Sequence, residues 1–338
     1  MGFIGINFKI LNKKVIHITE NQYISSINSH INSTKDMHDL TVNFLKMLHI
    51  TNTSLQNDLN QDGNLHFYPR KPKLSDAQII ALSLCQECLG IDSENWFLAK
   101  LKNDYRNDFP NLVHITNYNK RRKRLSLWTE QVNQRLATVL NVGENVFMVD
   151  SIPIPVCKLA REKQLKVCRH RFETAPDKGY SAVYKQYYIG YKLHLTIGMN
   201  GVYQGMELTK ASVHDVQYLN EVKHSGLKSC LLLGDKGYLS KEWQQDLFTS
   251  VNIELQTPKR ANQKDYKPWP WVYKSTRKRI EVVFAQLCDQ MMLKRNYAKT
   301  FEALKVRVMA KVAAVTVLQY INHLNGKSLN HIKHALAS

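Results

Sequence analysis

From Leu40 onward, the pattern of apolar and polar positions predicts a series of helices. Ser75 and Gln78 form a capping box in front of an apolar stretch, and Gly90 follows that stretch as a helix stop. A further helix is predicted from about Asn117 to Leu140. The front part of the chain is therefore predicted to be all-α.

After these helices the pattern becomes strand-like. The apolar run Val146–Val149 ends at Asp150, and the prolines at 153 and 155 are expected to end its strand. The remaining elements are strand Tyr187–Met199, a hairpin at Asn200-Gly201, strand Val202–Leu208, helix His214–Val222, strand Cys230–Leu233, helix Lys241–Phe248, strand Ile253–Gln256 and helix Thr276–Met292. This order predicts a mixed α/β sheet.

The balance of basic and acidic residues indicates what kind of partner the protein binds. The chain has 338 residues, of which 47 are Lys or Arg and 28 are Asp or Glu, so its net charge of +19 favours a polyanion such as nucleic acid. The first residues lack a secretory signal, and the best membrane-span candidate, Val312–Ile321, is too short and contains Gln319. Six scattered cysteines favour reduced thiols. We therefore expect a cytoplasmic protein without a membrane partner.

Two aspartates stand where a charged group is costly. Asp150 and Asp235 each follow a buried apolar strand, and neighbouring strands would place their carboxylates side by side. Such like charges repel unless a divalent cation lies between them. Glu281 on the last predicted helix is a third candidate, although periodicity does not decide its face. Oxygen ligands without clustered thiolates or imidazoles favour Mg²⁺ or Mn²⁺, while a turn or cap role is the alternative for either aspartate alone.

Basic residues cluster in places suited to phosphate contacts. The candidate DNA-binding residues from these clusters are Arg121, Arg122 and Arg124 in the helix predicted from about Asn117 to Leu140, Lys163, Arg169 and Arg171 after the first strand, Lys236 beside Asp235, and Lys278 in the last predicted helix. A solvated surface is the alternative interpretation of each cluster.

Several segments, taken in order, resemble those of bacterial insertion-sequence transposases with a DDE domain. These segments are Val149–Pro155, Tyr188–Leu195, Ala211–Asp215, Gly234–Tyr238 and Arg277–Phe284. The resemblance is closest to the insertion-sequence group numbered nine hundred and eighty-two. It extends over roughly residues 37–325, including Leu74–Ile79 and Phe109–Leu112 in the helical part.

The resemblance implies an α/β fold of the RNase H-like type, in which a mixed sheet is flanked by helices and preceded by an all-α N-terminal region. It further implies that Asp150, Asp235 and Glu281 are catalytic and hold two Mg²⁺ ions, with Mn²⁺ as a substitute. Water would attack the phosphodiester at the transposon end, and the freed 3′-hydroxyl would attack target DNA. The implied partners are the terminal inverted repeats, the target DNA and a second copy of the chain in a homodimer on DNA.

One DNA contact also follows from the resemblance. Related transposases carry an arginine four residues before the glutamate, and Arg277 stands at that place before Glu281. Lys274 and Cys288 stand where those relatives have a tyrosine and a lysine. Arg277 is therefore the one residue of that set that we expect to contact the DNA end.

This organisation divides the chain into an N-terminal extension over 1–36, a helical DNA-binding region over 37–140, a catalytic domain over 141–325 and a C-terminal tail over 326–338. Two other functions remain open from the sequence. One is a non-enzymatic DNA-binding protein derived from a transposase, which the presence of all three acidic residues disfavours. The other is an RNase H-like nuclease without strand joining, which begins with the same metal-activated attack.

Overall fold

The computed structural model describes residues 39–181, 185–259, 262, 266–295 and 297–337, and the backbone of 7–9 and 15–17. Strands β1 (Asn7–Lys9) and β2 (Val15–His17) pair antiparallel, and the rest of the predicted 1–36 extension lies outside the described residues. Phe8, Val15 and Ile16 are residue types that favour strands. This strand pair lies in the 1–36 extension, ahead of the region from residue 37 that is predicted to be helical.

The helical region follows the predicted capping signals with one change. Its helices are α1 (Leu40–Ser54), α2 (Asp76–Cys88), α3 (Glu94–Asp104), α4 (Ile115–Arg124) and α5 (Ser126–Leu140). The Ser75–Gln78 capping box is present at the start of α2. The single helix predicted over 117–140 is wrong, because buried Leu125 adopts φ −92° and ψ 8° and separates α4 from α5.

The second half of the chain forms the mixed α/β sheet that the sequence predicts. Its strands are β3 (Val146–Lys158), β4 (Asp177–Ser181), β5 (Gln186–Gly198), β6 (Tyr203–Lys210), β7 (Cys230–Leu233) and β8 (Ile253–Gln256). They lie in the order β4-β5-β3-β7-β8, with β6 also paired to β5. β3 is antiparallel to β5 and parallel to β7, and β8 is parallel to β7.

Helices connect and cover this sheet. They are α6 (Leu219–His224), α7 (Lys241–Val251), α8 (Trp271–Asp289) and α9 (Phe301–Leu324). Within the described part of the chain, none of the helices is long and apolar enough to cross a membrane.

Strand β3 is longer than its prolines predict. β7 pairs with β3 only as far as Met148, whereas β5 follows β3 to Lys158. Beyond Met148 the other edge of β3 is therefore open, and prolines are tolerated on an edge where no ladder hydrogen bond is needed. Pro153 and Pro155 consequently lie within β3 rather than after it.

One hydrophobic core joins the helical region to the sheet. Buried residues of α1–α5, of β3, β5 and β6, and of α8 and α9 belong to the same apolar cluster. The segment Val312–Ile321, which is too short to span a membrane, lies inside α9 and is almost wholly buried. The end of the chain also packs into this core, because Ile332 and Leu336 are buried. The helical region therefore contacts the sheet both through α9 and directly through α5, which packs on β6.

A buried ion-pair cluster lies where α9 meets the helical region. Its members are Glu87, Glu94, Arg122, Arg307 and Lys311. The Nζ atom of Lys311 is 2.6 Å from Oε2 of Glu87, and Nη1 of Arg122 is 3.1 Å from Oε1 of Glu94. Arg307 also pairs with Glu94. Buried charges of this kind require such partners, so the cluster ties α9 to α2, α3 and α4.

Candidate active site

Asp150 and Asp235 come together because their strands are neighbours. In the parallel pair of β3 and β7, Met148 is opposite Leu233, and each aspartate lies two residues further along its chain. The charge of Asp235 raises the pKa of Asp150, which shows that the two carboxylates interact. The structure thus brings both aspartates to the same edge of the sheet, at the carboxyl end of β7.

Both carboxylate oxygens of Asp150 accept hydrogen bonds, one from a backbone N–H and one from a guanidinium group. Its Oδ1 atom accepts a hydrogen bond from the Ser151 N–H at 2.8 Å, and its Oδ2 atom accepts one from Nη1 of Arg277 at 2.6 Å. Burial raises the pKa of Asp150 to about 6, and the charge of Asp235 adds to the rise while Arg277 opposes it. The carboxylate is therefore costly to hold without nearby positive charge.

Helix α8 brings Glu281 to the same place. Nη2 of Arg277 lies 3.4 Å from Oε1 of Glu281, one helical turn along, while Nη1 of the same guanidinium binds Asp150. The side chain of Glu281 is 60% exposed and that of Asp150 is 19% exposed. Arg277, which the resemblance singled out, is thus the cation shared by two of the three predicted catalytic acids.

Asp235 is held by the turn that follows it. Its side chain caps a short 3₁₀ turn over Lys236–Tyr238, with Oδ1 accepting the Gly237 N–H at 2.8 Å. A Cβ placed on Gly237 would lie 2.9 Å from Oδ1 of Asp235 and 3.2 Å from Oδ2 of Asp215. Glycine therefore leaves space here that a larger side chain would take from two carboxylate oxygens.

Asp215 is a fourth acidic residue that the sequence reasoning did not assign to the site. Its Oδ1 atom is 2.6 Å from Nζ of Lys192 and accepts a hydrogen bond from Oγ of Ser151 at 3.1 Å. Asp215 and Lys192 both lie in segments that resemble DDE transposases. That resemblance is the sequence signal that could have pointed to these two residues. We call Asp150, Asp215, Asp235, Glu281 and the cations Lys192 and Arg277 the acidic site.

His194 supports this site from inside the sheet. It is fully buried, and its Nε2 atom is 2.8 Å from Oγ1 of Thr209, while its ring stacks on Tyr218 with centroids 5.1 Å apart. Burial lowers the pKa of His194 to about 4; Asp215 opposes that change and Lys192 adds to it. At neutral pH the imidazole is uncharged and part of the packing.

The donor set fits a hard divalent cation. Every acidic side chain at the site offers carboxylate oxygen, the ligand type of Mg²⁺ and Mn²⁺. Among the residues that the structure describes, no three His, Cys, Asp or Glu side chains already stand close enough to hold a metal ion. In this structure the positive charge at Asp150 and Glu281 comes from Arg277.

Some of the predicted DNA-binding residues are exposed to solvent, and two are bound to other residues of the protein. Those exposed to solvent are Arg124, Lys163, Arg169, Arg171, Lys236 and Lys278. Arg121 is engaged with the Leu74 carbonyl and with Asp76, from which its Nη2 atom is 2.6 Å. Arg122 belongs to the buried ion-pair cluster and is 5% exposed, so the expectation that it contacts DNA is corrected.

Comparison with known proteins gives one match. Residues 142–317, more than half of the chain, match the family model described as the transposase DDE domain. No curated protein and no solved structure matches the chain. The matched range contains Asp150, Asp235, Glu281 and the rest of the acidic site, and it confirms the resemblance to DDE transposases at the level of the family. The chain therefore belongs to the transposase DDE domain family.

Proposed function

We propose that this transposase cuts DNA at the ends of its insertion sequence and joins the freed ends to target DNA. The observation that carries the proposal is the meeting of Asp150 and Glu281 on one guanidinium, with Asp235 beside Asp150, inside the range that matches the transposase family. The motif segments named above favour the insertion-sequence group numbered nine hundred and eighty-two.

The acidic site supplies the groups that this chemistry needs. Asp150, Asp235 and Glu281 would hold Mg²⁺, with Mn²⁺ as a substitute. Two such ions, when bound, activate the attacking oxygen and stabilise the leaving oxygen of a phosphoryl transfer. Burial of Asp150 keeps water from screening its charge. Arg277 carries a guanidinium at the same place, and guanidinium groups bind phosphate oxygens in a bidentate manner, so we assign it to the phosphate at the DNA end.

We also propose an RNase H-like fold for the catalytic domain over 141–325. The support is the strand order, in which the strand carrying Asp150 lies between an antiparallel meander and the parallel strands β7 and β8. The helical region over 37–140 is assigned to DNA binding. Because it shares a core with the sheet, we expect it to move with the catalytic domain as one unit.

DNA contacts are assigned to exposed basic residues that follow the acidic-site residues or their strands in the chain, and to Arg124 on α4. Lys163, Arg169 and Arg171 follow β3, which carries Asp150, while Lys236 follows Asp235 and Lys278 follows Arg277. Arg124 lies on α4, with its guanidinium carbon 5.4 Å from the ring centroid of Tyr68. These side chains can neutralise phosphates without loss of interior contacts.

Transposition joins two element ends, so we propose that two copies of the chain act together as a homodimer on the terminal inverted repeats. Closed two-fold assemblies present identical surfaces to two related DNA ends. The expected species by analytical ultracentrifugation is a dimer when a terminal-repeat duplex is present. A complex that contains only one copy of the chain at saturating DNA would contradict this part of the proposal.

The test is incubation of the purified protein with a labelled fragment that carries the element's own terminal repeats, in Mg²⁺, Mn²⁺ or EDTA. We expect cleavage and strand-transfer products with either metal ion and none in EDTA. Cleavage without joined products would instead identify a nuclease of the same fold. Binding without any cut would identify a DNA-binding protein derived from a transposase.

A further inference from the structure

Asp215 contacts both of the segments that carry the catalytic aspartates. Its Oδ1 atom accepts the Ser151 hydroxyl at 3.1 Å, and Ser151 is the residue whose backbone N–H binds Asp150 at 2.8 Å. Its Oδ2 atom faces Gly237, which donates its backbone N–H to Asp235. One carboxylate thus binds Ser151 within β3 on one side and approaches the turn after β7 on the other.

The charge of Asp215 is balanced locally. Nζ of Lys192 on β5 lies 2.6 Å from Oδ1 of Asp215, and the two side chains are only 15% and 26% exposed. A partly buried pair with a short contact is held in one geometry more firmly than a surface ion pair. Because Lys192 lies opposite Pro153 in the β3–β5 ladder, the pair anchors Asp215 to the same strand pair that carries Asp150.

Gly237 shows how closely the two sides of the site are packed. A methyl group on Gly237 would come within 3.2 Å of Oδ2 of Asp215 and 2.9 Å of Oδ1 of Asp235. Gly237 is not among the glycines with a left-handed backbone. The need for glycine therefore lies in the space between the two carboxylates and not in backbone strain.

We propose that Asp215 is a positioning residue that fixes Asp150 and Asp235 relative to one another, with Lys192 holding it in place. This inference rests on the proposed metal-dependent DNA cleavage. In this role Asp215 acts through Ser151 and through the Gly237 turn, and the reacting phosphate is contacted by other groups. Partners of metal-binding carboxylates typically affect metal affinity or activity by about 10–100-fold when they are removed.

The experiment measures Mn²⁺ binding by isothermal titration calorimetry for the full-length wild type and a set of variants. Asp215→Ala removes both contacts, and we expect Mn²⁺ affinity to fall by about 10–100-fold. Ser151→Ala removes one hydrogen bond but leaves the Lys192 pair, so we expect a fall of about fivefold. Gly237→Ala inserts a methyl group between the two carboxylates and is expected to weaken binding as well.

The matched control is Asp246→Asn. Asp246 forms an equivalent pair with Lys223 between α6 and α7, at 2.8 Å and 2.9 Å, and takes no part in the acidic site. Its variant is expected to bind Mn²⁺ as the wild type does. On labelled DNA ends, Asp215→Ala should raise the Mn²⁺ concentration needed for half-maximal cleavage far more than it lowers the rate at saturating Mn²⁺.

A structural role alone gives a different pattern. Asp215→Ala and Ser151→Ala would then lower the melting temperature in EDTA and bind Mn²⁺ with wild-type affinity, which would overturn the proposal for Asp215 and leave the proposed function intact. If wild type itself binds no Mn²⁺ while Asp150→Asn behaves identically, the metal-dependent function fails and the positioning role fails with it. Wild-type Mn²⁺ affinity in Gly237→Ala would count against the close coupling of the two aspartates.

Discussion

The acidic site and the buried ion-pair cluster are built from the same kinds of side chain, but water reaches them differently. In the buried cluster, the side chains of Glu87 and Lys311 are 1% and 2% exposed. In the acidic site, Asp215 is 26% exposed and Glu281 is 60% exposed. The first cluster lies where helices of the two regions meet, whereas the second lies at the end of strands that open to solvent.

This difference in exposure suits the buried ion-pair cluster to holding the fold together and the acidic site to binding and chemistry. A fully buried carboxylate has lost its hydration, so its cation cannot leave without a large cost. A carboxylate that is partly exposed keeps some of its hydration. A metal ion can therefore replace its arginine partner at smaller cost. Changes in the buried cluster should therefore affect folding, and changes in the acidic site should affect activity.

The largest effect is expected from neutralising the three proposed catalytic acids. Asp150→Asn, Asp235→Asn and Glu281→Gln would each remove a charge that we propose to hold the metal ion, and metal stabilisation of the transition state is worth several kcal/mol, so cleavage should fall by more than about 1,000-fold. Single-turnover cleavage of labelled terminal-repeat DNA measures this. The DNA affinity of each variant is the control, and it should stay measurable. Full cleavage by any one variant would remove that residue from the site.

The second-largest effect is a loss of stability when the buried ion-pair cluster is broken. Lys311→Met leaves Glu87 without its closest cation, and breaking a buried pair from one side costs about 3–5 kcal/mol in the free energy of unfolding. Urea unfolding followed by circular dichroism measures the loss. The control is Lys100→Met, whose pair with Asp104 is exposed, so this variant should unfold at nearly the wild-type urea concentration. Equal losses for the two variants would contradict the distinction between the clusters.

A pH effect is expected at His194, which lies beneath the acidic site. Burial lowers its pKa from 6.5 to about 4, so the unfolded chain takes up a proton in this window that the folded protein does not. The stability that neutral His194 contributes is present above pH 6.5 and is lost as the pH falls toward 4, by up to about 3 kcal/mol.

His194→Gln should flatten the fall in unfolding free energy between pH 6.5 and 4, because glutamine takes up no proton. Glutamine also keeps a polar group near Thr209. Urea titrations across this range measure the slope, with His224→Gln as the control because His224 is exposed. If the unfolding free energy falls with the same slope in His194→Gln and in wild type, the pH dependence does not come from His194.

The smallest effect is expected from a single exposed basic residue. Arg169→Ala should weaken binding to any duplex a few-fold and reduce the slope of log affinity against log salt by about 1, because one phosphate contact is lost. Fluorescence anisotropy at several salt concentrations measures both. Lys223→Ala serves as the control, since its ammonium is paired with both carboxylate oxygens of Asp246. An unchanged salt slope in Arg169→Ala would remove this residue from the DNA surface.

The sequence predicted the parts of the site that depend on local pattern. Two apolar runs that each lead into an aspartate predict that Asp150 and Asp235 lie side by side if their strands are neighbours, and in the structure the strands are parallel neighbours. The strand Ile253–Gln256 and the capping box before α2 also follow directly from short-range signals. The family match confirms the transposase prediction, while the DNA ends, the metal ion and the dimer stay proposals.

Other features depend on contacts that are distant in sequence. Arg122 stands in a basic run that resembles a solvated helix face, yet Glu87 and Glu94 draw it into the interior. Pro153 and Pro155 stay in β3 because β7 stops short of them, which no local pattern encodes. Asp215 joins the site only because β5, β3 and the turn after β7 converge on it. Tertiary partners decide each of these cases.

The most direct test of the central claim uses Fe²⁺ in place of Mg²⁺. With ascorbate and peroxide, bound Fe²⁺ produces hydroxyl radicals that cut the polypeptide next to the metal ion. If Asp150, Asp235 and Glu281 form one metal site, cuts should appear near all three residues in wild type and disappear together in Asp150→Asn. Cuts near only one of the three acids, or a pattern that Asp150→Asn leaves unchanged, would contradict the account.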